Sequence, residues 1–204
     1  DPFDNPRTIE WNIGVVRQLY SRGVAELTYV GTRGDGLIRP ITAEQIAARV
    51  ASLGREITSA YPDGDLVLLG LLKGSFIFLA DLVRAVERPL QVDFLVVSSY
   101  GTGTVSSGNV RLLYDPATDL AGKHIVVVED IIDSGRTLTR LVELLRARHP
   151  ASLAICTLLD KQIAPELPAE LRFVGFHAPP AFLVGYGLDH AEHCRHLPYI
   201  VDLD

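Results

Sequence analysis

The sequence is poor in the residues and segments that mark secreted and membrane proteins. Its 204 residues include no methionine, one tryptophan and two cysteines. Cys156 and Cys194 form no disulfide framework, which favours a reducing compartment, and Cys156 lies in an apolar run that predicts a buried free thiol. No run of about 18 apolar residues is present, so a transmembrane helix is not expected. With no signal peptide recognised, we expect a cytoplasmic protein, while terminal targeting signals stay open because the chain starts at Asp1 without methionine.

Positive charge is also scarce. Lysine and arginine total 19 against 25 aspartate and glutamate residues, for a formal net charge of −6. This balance argues against nucleic-acid binding as the main function, whereas local basic residues decide whether an anionic substrate binds. The content of 48% hydrophobic and 22% charged residues predicts a globular protein. We expect a single domain with its core at residues 40–175, and with residues 1–39 and 176–204 as hood or lobe segments.

Strand and helix patterns alternate through the middle of the chain. Thr42 and Gln45 have the spacing of a capping box at the start of a helix. The apolar stripe of that helix comprises Ile46, Ala47, Val50, Leu53 and Ile57. Continuous apolar strands separated by helices predict an α/β fold with a doubly wound, mainly parallel sheet. The expected strands are residues 66–72, 92–97, 109–113, 125–129 and 153–159, and the expected helices among them are residues 76–86 and 138–148.

The most informative segment spans residues 127–138. An apolar strand is expected to end at the adjacent carboxylates Glu129 and Asp130, and a small-residue turn then leads into a helix. The turn comprises Asp133, Ser134, Gly135, Arg136 and Thr137. A strand, a small-residue turn and a helix N-terminus together bind phosphate through backbone N–H groups and the helix dipole. The order GxxxxGK[ST] of a Walker loop is absent, and the carboxylates suit a sugar diol and a metal. The segment therefore predicts a site for a phosphorylated sugar.

Charged residues follow other predicted strands in the same way. Lys73, Asp133 and Lys161 each lie just beyond the expected end of a strand. Ligands of doubly wound sheets bind at the carboxyl ends of the strands, near a switch point. We therefore expect these residues, although far apart in the chain, to converge on one crevice that the irregular C-terminal segment covers.

Residues 127–138 resemble the 5-phosphoribosyl-1-pyrophosphate (PRPP) signature of the type I phosphoribosyltransferases, and their flanks resemble the hypoxanthine-guanine branch of that family. The flanking matches, in the order of the family, are Leu72-Lys73-Gly74-Ser75, Ser99-Tyr100, Leu159-Asp160-Lys161 and residues 182–189. The resemblance implies transfer of phosphoribosyl to N9 of hypoxanthine or guanine in purine salvage, giving IMP or GMP and pyrophosphate. It also implies Mg²⁺ as cofactor and a homodimer or homotetramer, with neither nucleic acid nor membrane as a partner. A preference for xanthine, or its use beside hypoxanthine and guanine, stays open.

The resemblance further implies a role for each matching residue. Asp133 is the general base that takes the proton from N7 of the purine, and the Leu72–Lys73 peptide is cis. The residues for PRPP and its 5-phosphate are Glu129, Asp130, Asp133, Ser134, Gly135, Arg136 and Thr137. The residues for pyrophosphate are Lys73, Gly74, Ser99, Tyr100 and Arg195. The residues for the purine are Lys161, Phe182, Leu183 and Asp189, and the metal ligands are Glu129, Asp130 and Asp189.

Lys161 determines the base preference in this scheme. Its ammonium has three donors and no acceptor, so it suits the 6-oxo group of hypoxanthine or guanine and opposes the 6-amino group of adenine. From the residues alone, a lysine in the polar run Asp160-Lys161-Gln162 is interpreted as a surface residue. The family resemblance outweighs that interpretation.

Other features of the chain leave alternatives open. Asp133 also has the position of an N-cap for the helix after it, and the Ser75 hydroxyl either donates to phosphate or restricts its loop. Residues 99–108 are expected to form a mobile loop that closes over the site. The apolar residues of the helix at 76–86 cover more than one face, which predicts a dimer interface unless another part of the chain covers them.

Other functions and sites fit the sequence less well. A regulatory RNA-binding protein would keep the sugar-binding turn, but the net charge of −6, Lys161 and Phe182 all favour an enzyme with a base pocket. A diphosphate-transferring, kinase-like enzyme needs an ATP site, for which no motif is present. A zinc site is suggested by the spacing of four C-terminal residues and is rejected, because no second ligand group lies nearby in the sequence. Those residues are His190, His193, Cys194 and His196.

Overall fold

The computed structural model describes residues 7–19, 23–35, 40–99, 110–164 and 167–203, with the backbone alone for the first two ranges and for residues 98–99, 110–111 and 136. The chain divides into two compact units, Asp1–Arg39 and Pro40–Asp204. In chain order the elements are β1 (Arg7–Leu19), β2 (Gly23–Asp35), α1 (Ala43–Ala60), β3 (Leu66–Leu72), α2 (Phe76–Ala85), β4 (Gln91–Ser99), β5 (Val110–Tyr114), β6 (His124–Ile132), α3 (Arg136–Arg146), β7 (Ser152–Asp160), β8 (Leu171–His177), β9 (Leu183–Val184) and β10 (Val201–Asp202).

The first unit contains an antiparallel hairpin. β1 pairs with β2 in a continuous register, from Arg7 opposite Asp35 to Leu19 opposite Gly23. These strands were not predictable from the sequence, because the short apolar stretches of residues 13–30 lack the period of two that marks a strand with one buried face.

The second unit is organised around a six-stranded sheet of order β5-β4-β3-β6-β7-β8. Strands β3, β4, β6, β7 and β8 run parallel, and β5 joins the edge antiparallel to β4. β3 has the predicted bounds, and its residues are apolar throughout because both faces of this central strand are covered. The predicted doubly wound, mainly parallel α/β fold is therefore confirmed.

Helices cover both faces of this sheet. The Thr42 hydroxyl accepts a hydrogen bond from the Gln45 N–H at 3.3 Å, and the Gln45 side-chain oxygen accepts one from the Thr42 N–H at 2.9 Å. The predicted capping box of α1 is therefore confirmed. α1 and α2 pack on one face and α3 packs on the other. The prediction was wrong at Ala47, which is exposed, whereas Gly54 is buried where α1 approaches Ala85 of α2. Across the described ranges, none of the helices combines the length and the apolar character that a membrane span requires.

The strands diverge between β3 and β6. The order of the sheet reverses here, because α2 leads from β3 to β4 on one side and α3 leads from β6 to β7 on the other. β3 pairs with β6 only as far as Gly70 opposite Val128, while β6 continues alongside β7 until Ile132. The expectation that this strand ends at Glu129 and Asp130 was wrong, since pairing with β7 keeps both carboxylates inside the strand. This divergence is the switch point of the sheet, which is where ligands of such folds bind.

The C-terminal part of the chain adds an edge strand and a small lobe. β8 pairs parallel to β7, and it was missed from the sequence because Arg172 and Gly175 interrupt its half-buried apolar pattern. β9 and β10 form a short antiparallel pair. Ile41 pairs with Ile200 through two backbone hydrogen bonds, which ties the start of the second unit to its end.

Candidate active site

The turn between β6 and α3 encloses a cavity suited to phosphate. α3 begins at Arg136, and Gly135 occupies the N-cap with a φ of 70°, a left-handed conformation that glycine adopts without strain. The cavity is open to solvent, has a volume of about 110 Å³ and is lined by Glu129, Ile131, Ile132, Asp133, Ser134, Gly135, Thr137 and Leu138. The first N–H groups of a helix have no partner within the helix, so the turn offers the donors that a phosphate group needs.

Asp133 faces Lys161 and does not cap α3. The N-cap is Gly135, so the interpretation of Asp133 as the cap was wrong. The Oδ2 atom of Asp133 lies 4.0 Å from Nζ of Lys161, and the two side chains are 61% and 15% exposed respectively. The Lys161 N–H donates to the Ile132 carbonyl at 3.1 Å, which joins the ends of β6 and β7. The interpretation of Lys161 as a surface lysine was also wrong, because its side chain is mostly buried.

Glu129 and Asp130 lie where the surroundings disfavour negative charge. Burial, followed by the charge of Asp130, raises the pKa of Glu129 well above its ordinary range. Burial raises the pKa of Asp130 to about 6, although backbone hydrogen bonds and the charge of Arg195 act in the opposite direction. The Oε2 atom of Glu129 is inaccessible and has no hydrogen-bond partner among the described residues. A cation or a hydroxyl donor at this place would satisfy these carboxylates.

These carboxylates fit the Mg²⁺ ion that the family resemblance implies. The inaccessible oxygen of Glu129 and the desolvated carboxyl of Asp130 are hard oxygen ligands of the kind that Mg²⁺ prefers. Within the described ranges, no three His, Cys, Asp or Glu side chains come together as a complete metal site. Mg²⁺ commonly binds through one or two carboxylates together with waters and substrate phosphates, so an incomplete protein ligand set suits an ion that arrives with its substrate.

The loop after β3 packs directly on Asp130. The peptide before Lys73 is cis, as the resemblance implied. A Cβ atom added to Gly74 would lie 1.6 Å from Oδ2 of Asp130, so only glycine leaves room for the carboxylate. The buried Ser75 hydroxyl donates to the Leu71 carbonyl at 2.7 Å. Ser75 therefore restricts the loop, and the alternative that its hydroxyl donates to phosphate was wrong.

Arg195 joins the C-terminal lobe to the same region. Its Nη1 donates to the Gly187 carbonyl at 2.7 Å, and its Nη2 lies 2.7 Å from Oδ1 of Asp189. A Cβ atom on Gly187 would lie 2.1 Å from the Gly74 carbonyl oxygen, so the lobe is in direct contact with the loop after β3. The charges of Arg195 and Asp189 both act on the pKa of Asp130. The predicted pyrophosphate and metal residues of the lobe are thus brought beside Asp130.

The residues predicted to bind the purine begin on the same lobe. The Phe182 side chain is 47% exposed, as a ring that stacks on an incoming base has to be. Its ring meets His190 edge-on, with the centroids 5.5 Å apart. Leu183 is buried in β9 and pairs with Asp202 of β10, so the backbone next to Phe182 is held in place.

Part of the predicted site lies outside the described residues. Tyr100 and the predicted closing loop fall there, apart from the backbone of Ser99 at the end of β4. The side chain of Arg136 is likewise outside the description. The roles of these residues stay predictions.

Two long-range contacts beside the site were not predicted from the sequence. Lys73 Nζ donates to Oε1 of Glu192 at 3.1 Å, and this hydrogen bond and the lysine charge lower the pKa of Glu192. The Tyr186 hydroxyl donates to Oδ2 of Asp81 at 2.6 Å, where burial and that hydrogen bond raise the pKa of Tyr186. Lys73 and Glu192 are 119 positions apart, so no local pattern pairs them. The only signal for Glu192 was its place in the segment that contains Arg195.

Comparisons with known proteins give one consistent set of relatives. A family model for the phosphoribosyl transferase domain matches residues 41–191. The chain is 51% identical to the hypoxanthine phosphoribosyltransferase of Salmonella typhimurium over 162 residues, which cover 78% of this chain and 91% of that protein. It is 49% identical to the hypoxanthine-guanine phosphoribosyltransferase of Mycobacterium avium over 170 residues, covering 80% of this chain and 84% of that protein. A crystal structure of a hypoxanthine phosphoribosyltransferase from Staphylococcus aureus superimposes with a TM-score of 0.78 at 40% identity, covering 82% of this chain and 92% of that one.

Proposed function

The chain belongs to the phosphoribosyl transferase domain family, and we propose that it transfers phosphoribosyl from PRPP to N9 of hypoxanthine or guanine. The products are IMP or GMP and pyrophosphate, which makes the reaction a step of purine salvage. The observation that carries the proposal is the mostly buried Lys161 side chain, whose Nζ lies 4.0 Å from the Asp133 carboxylate, beside the cavity of the phosphate turn. The names of the relatives mention hypoxanthine and guanine, which favours these bases over xanthine.

In the proposed reaction, Asp133 and Lys161 act on the base. The bond from C1 of the ribose to pyrophosphate breaks and a bond from C1 to N9 forms, while Asp133 takes the proton that leaves N7. Lys161 donates to the 6-oxo group, and a base with a 6-amino group would leave this ammonium facing another donor. The exposed ring of Phe182 stacks on the base.

Other groups of the proposed site hold the sugar and the departing pyrophosphate. Backbone N–H groups of the turn at residues 134–137 bind the 5-phosphate, and Glu129 and Asp130 hold the ribose hydroxyls. Lys73 and Arg195 stabilise the negative charge that builds on pyrophosphate. Bound Mg²⁺, held by oxygens of Glu129, Asp130 or Asp189 together with the substrate, would add positive charge for the same purpose.

A lysine substitution tests the proposal. Lys161→Ala should raise the KM for hypoxanthine and guanine at least tenfold, the usual effect of a lost charge-assisted hydrogen bond, and leave the KM for PRPP within about twofold. Lys123→Ala is the matched control, because Lys123 lies just before β6 and donates to the Gln91 side chain at the start of β4, at the end of the strands opposite the site. A Lys161→Ala variant that keeps its base KM but loses PRPP affinity would mean that this lysine serves the other substrate.

We also propose that the protein is a cytoplasmic homodimer or homotetramer. The free cysteines support a reducing compartment. Large apolar side chains stay exposed on α2 and on β4 and β5, including Phe76, Val92, Phe94 and Tyr114, and a symmetric interface is the commonest way to cover such residues. Sedimentation at micromolar concentration tests this, and a fully active monomer of 22.3 kDa would refute it.

A further inference from the structure

Glu192 occupies the space between the two cations that the proposed function assigns to pyrophosphate. Its Oε1 accepts a hydrogen bond from Lys73 Nζ at 3.1 Å, and its Oε2 lies 3.4 Å from Nη2 of Arg195. One carboxylate therefore spans an ammonium from the loop after β3 and a guanidinium from the C-terminal lobe. Two anionic oxygens between these cations have the chemistry of the diphosphate group itself.

The backbone directs Glu192 to this position. Residues 190–193 form a tight turn, in which His190 and His193 exchange backbone hydrogen bonds of 3.2 and 2.9 Å. The two central residues, Ala191 and Glu192, have φ values of 49° and 66°. A turn with φ above zero at both central positions usually carries asparagine or glycine, and other residues are strained there. The Glu192 N–H donates to Oδ2 of Asp189 at 2.9 Å, which secures the turn.

The contacts of the Glu192 side chain are weak enough for a ligand to displace it. Its side chain and that of Lys73 are 64% and 68% exposed, and exposed ion pairs of this kind add little stability. Arg195 does not depend on Glu192, because Asp189 and the Gly187 carbonyl hold it at 2.7 Å each. Displacing Glu192 would leave both cations in place for a ligand.

We propose that Glu192 is an internal substitute for pyrophosphate: it neutralises Lys73 and Arg195 in the free enzyme and is displaced when PRPP or pyrophosphate binds. This residue weakens the binding of the diphosphate group in both directions of the reaction. It keeps the two cations from holding stray anions and favours the departure of the product. The inference rests on the proposed function, because that function assigns Lys73 and Arg195 to pyrophosphate.

The test is the affinity for inorganic pyrophosphate, measured by titration calorimetry in the presence of Mg²⁺. Glu192→Gln keeps the shape of the side chain and removes its charge, so it should bind pyrophosphate about threefold to tenfold more tightly, the range expected when two exposed ion pairs no longer compete. The KM for PRPP should fall in parallel. The affinity for GMP should stay level, because its phosphate binds at the turn after β6. The matched control is Glu143→Gln, which removes an exposed glutamate paired at 2.5 Å with Arg140 on α3.

A second variant separates competition from a purely structural role. In a Lys73→Ala background, Glu192→Gln should tighten pyrophosphate binding less than it does in the wild-type protein, because one of the contested cations is gone. If the wild-type enzyme is active but Glu192→Gln binds pyrophosphate equally or more weakly, the role proposed for Glu192 is overturned and the proposed function is not. A wild-type protein that neither binds pyrophosphate nor transfers phosphoribosyl would instead overturn the proposed function.

Discussion

Asp130→Asn should make the ligand-free protein more stable at neutral pH and make the enzyme less active. Burial raises the pKa of this carboxyl to about 6, and its charge helps to raise the pKa of Glu129 beside it. The two groups are thus kept close together in a place that suits a bound cation or sugar diol better than it suits two free carboxylates. A neutral asparagine removes this conflict from the protein and removes a proposed ligand from the site.

The pKa of Asp130 determines the size and sign of the effect. The value is about 6 in the folded protein against an ordinary 3.8. Between these values the folded state binds more protons than the unfolded state, so the contribution of this group to stability falls as the pH rises and stays low above about pH 6. The full difference corresponds to about 3 kcal/mol, of which asparagine should recover about 1–3 kcal/mol, equivalent to about 3–10 °C in Tm.

Scanning calorimetry at about pH 4 and about pH 8 measures this effect. The Tm of Asp130→Asn should exceed that of the wild type at the higher pH and approach it at the lower pH. Asp63→Asn is the control, because Asp63 is exposed in the turn after α1 and should show no such change. Mg²⁺ with pyrophosphate should stabilise the wild type more than the Asp130 variant. A variant that is less stable at about pH 8, or whose Tm difference is the same at both pH values, would refute the reasoning.

Two further substitutions test the geometry of the site. Asp133→Asn should lower kcat by roughly 10²–10⁴-fold, the usual contribution of a general base. Its Tm and its affinity for GMP should not fall, because Gly135 and not Asp133 caps α3. An unaltered kcat would remove Asp133 from the mechanism. Gly74→Ala should lower kcat/KM by roughly 10²-fold, since an added Cβ would lie 1.6 Å from Oδ2 of Asp130 and displace that carboxylate. Gly122→Ala is the control, because φ is 70° there and no atom lies within 4 Å of the added Cβ. This variant should lose stability but keep its activity. Equal losses of activity in the two glycine variants would contradict this explanation.

The sheet and its order of elements were predictable because the strands are nearly unbroken apolar runs. β3 was predicted at its observed bounds, since a strand covered on both faces has no polar position to blur its pattern. The same rule failed for β6, where the strand continues past Val128 with Glu129 and Asp130 inside it. In a sequence pattern, a pair of carboxylates predicts the end of a buried strand. In the structure, β7 pairs with the backbone of β6 regardless of side-chain polarity. Functional carboxylates are the residues for which such a conflict is expected.

The candidate site was predictable to the extent that its residues follow strands or match the family signature. Lys73, Asp133 and Lys161 follow β3, β6 and β7, which are neighbours in the sheet. The burial of Lys161 was not visible in its polar local sequence and depends on the packing of the folded chain. The contact of Glu192 with Lys73 was also invisible, because it joins two loops whose spacing only the fold decides.

The most direct test of the proposed function is a steady-state assay of the purified protein with PRPP, Mg²⁺ and each of hypoxanthine, guanine, xanthine and adenine, with the nucleotide and the pyrophosphate quantified together. We predict stoichiometric IMP or GMP and pyrophosphate from hypoxanthine and guanine. The kcat/KM for adenine should be at least about 10³-fold lower, because its 6-amino group and the Lys161 ammonium are both hydrogen-bond donors. Efficient use of adenine, or no nucleotide from any of the four bases, would contradict the proposed function.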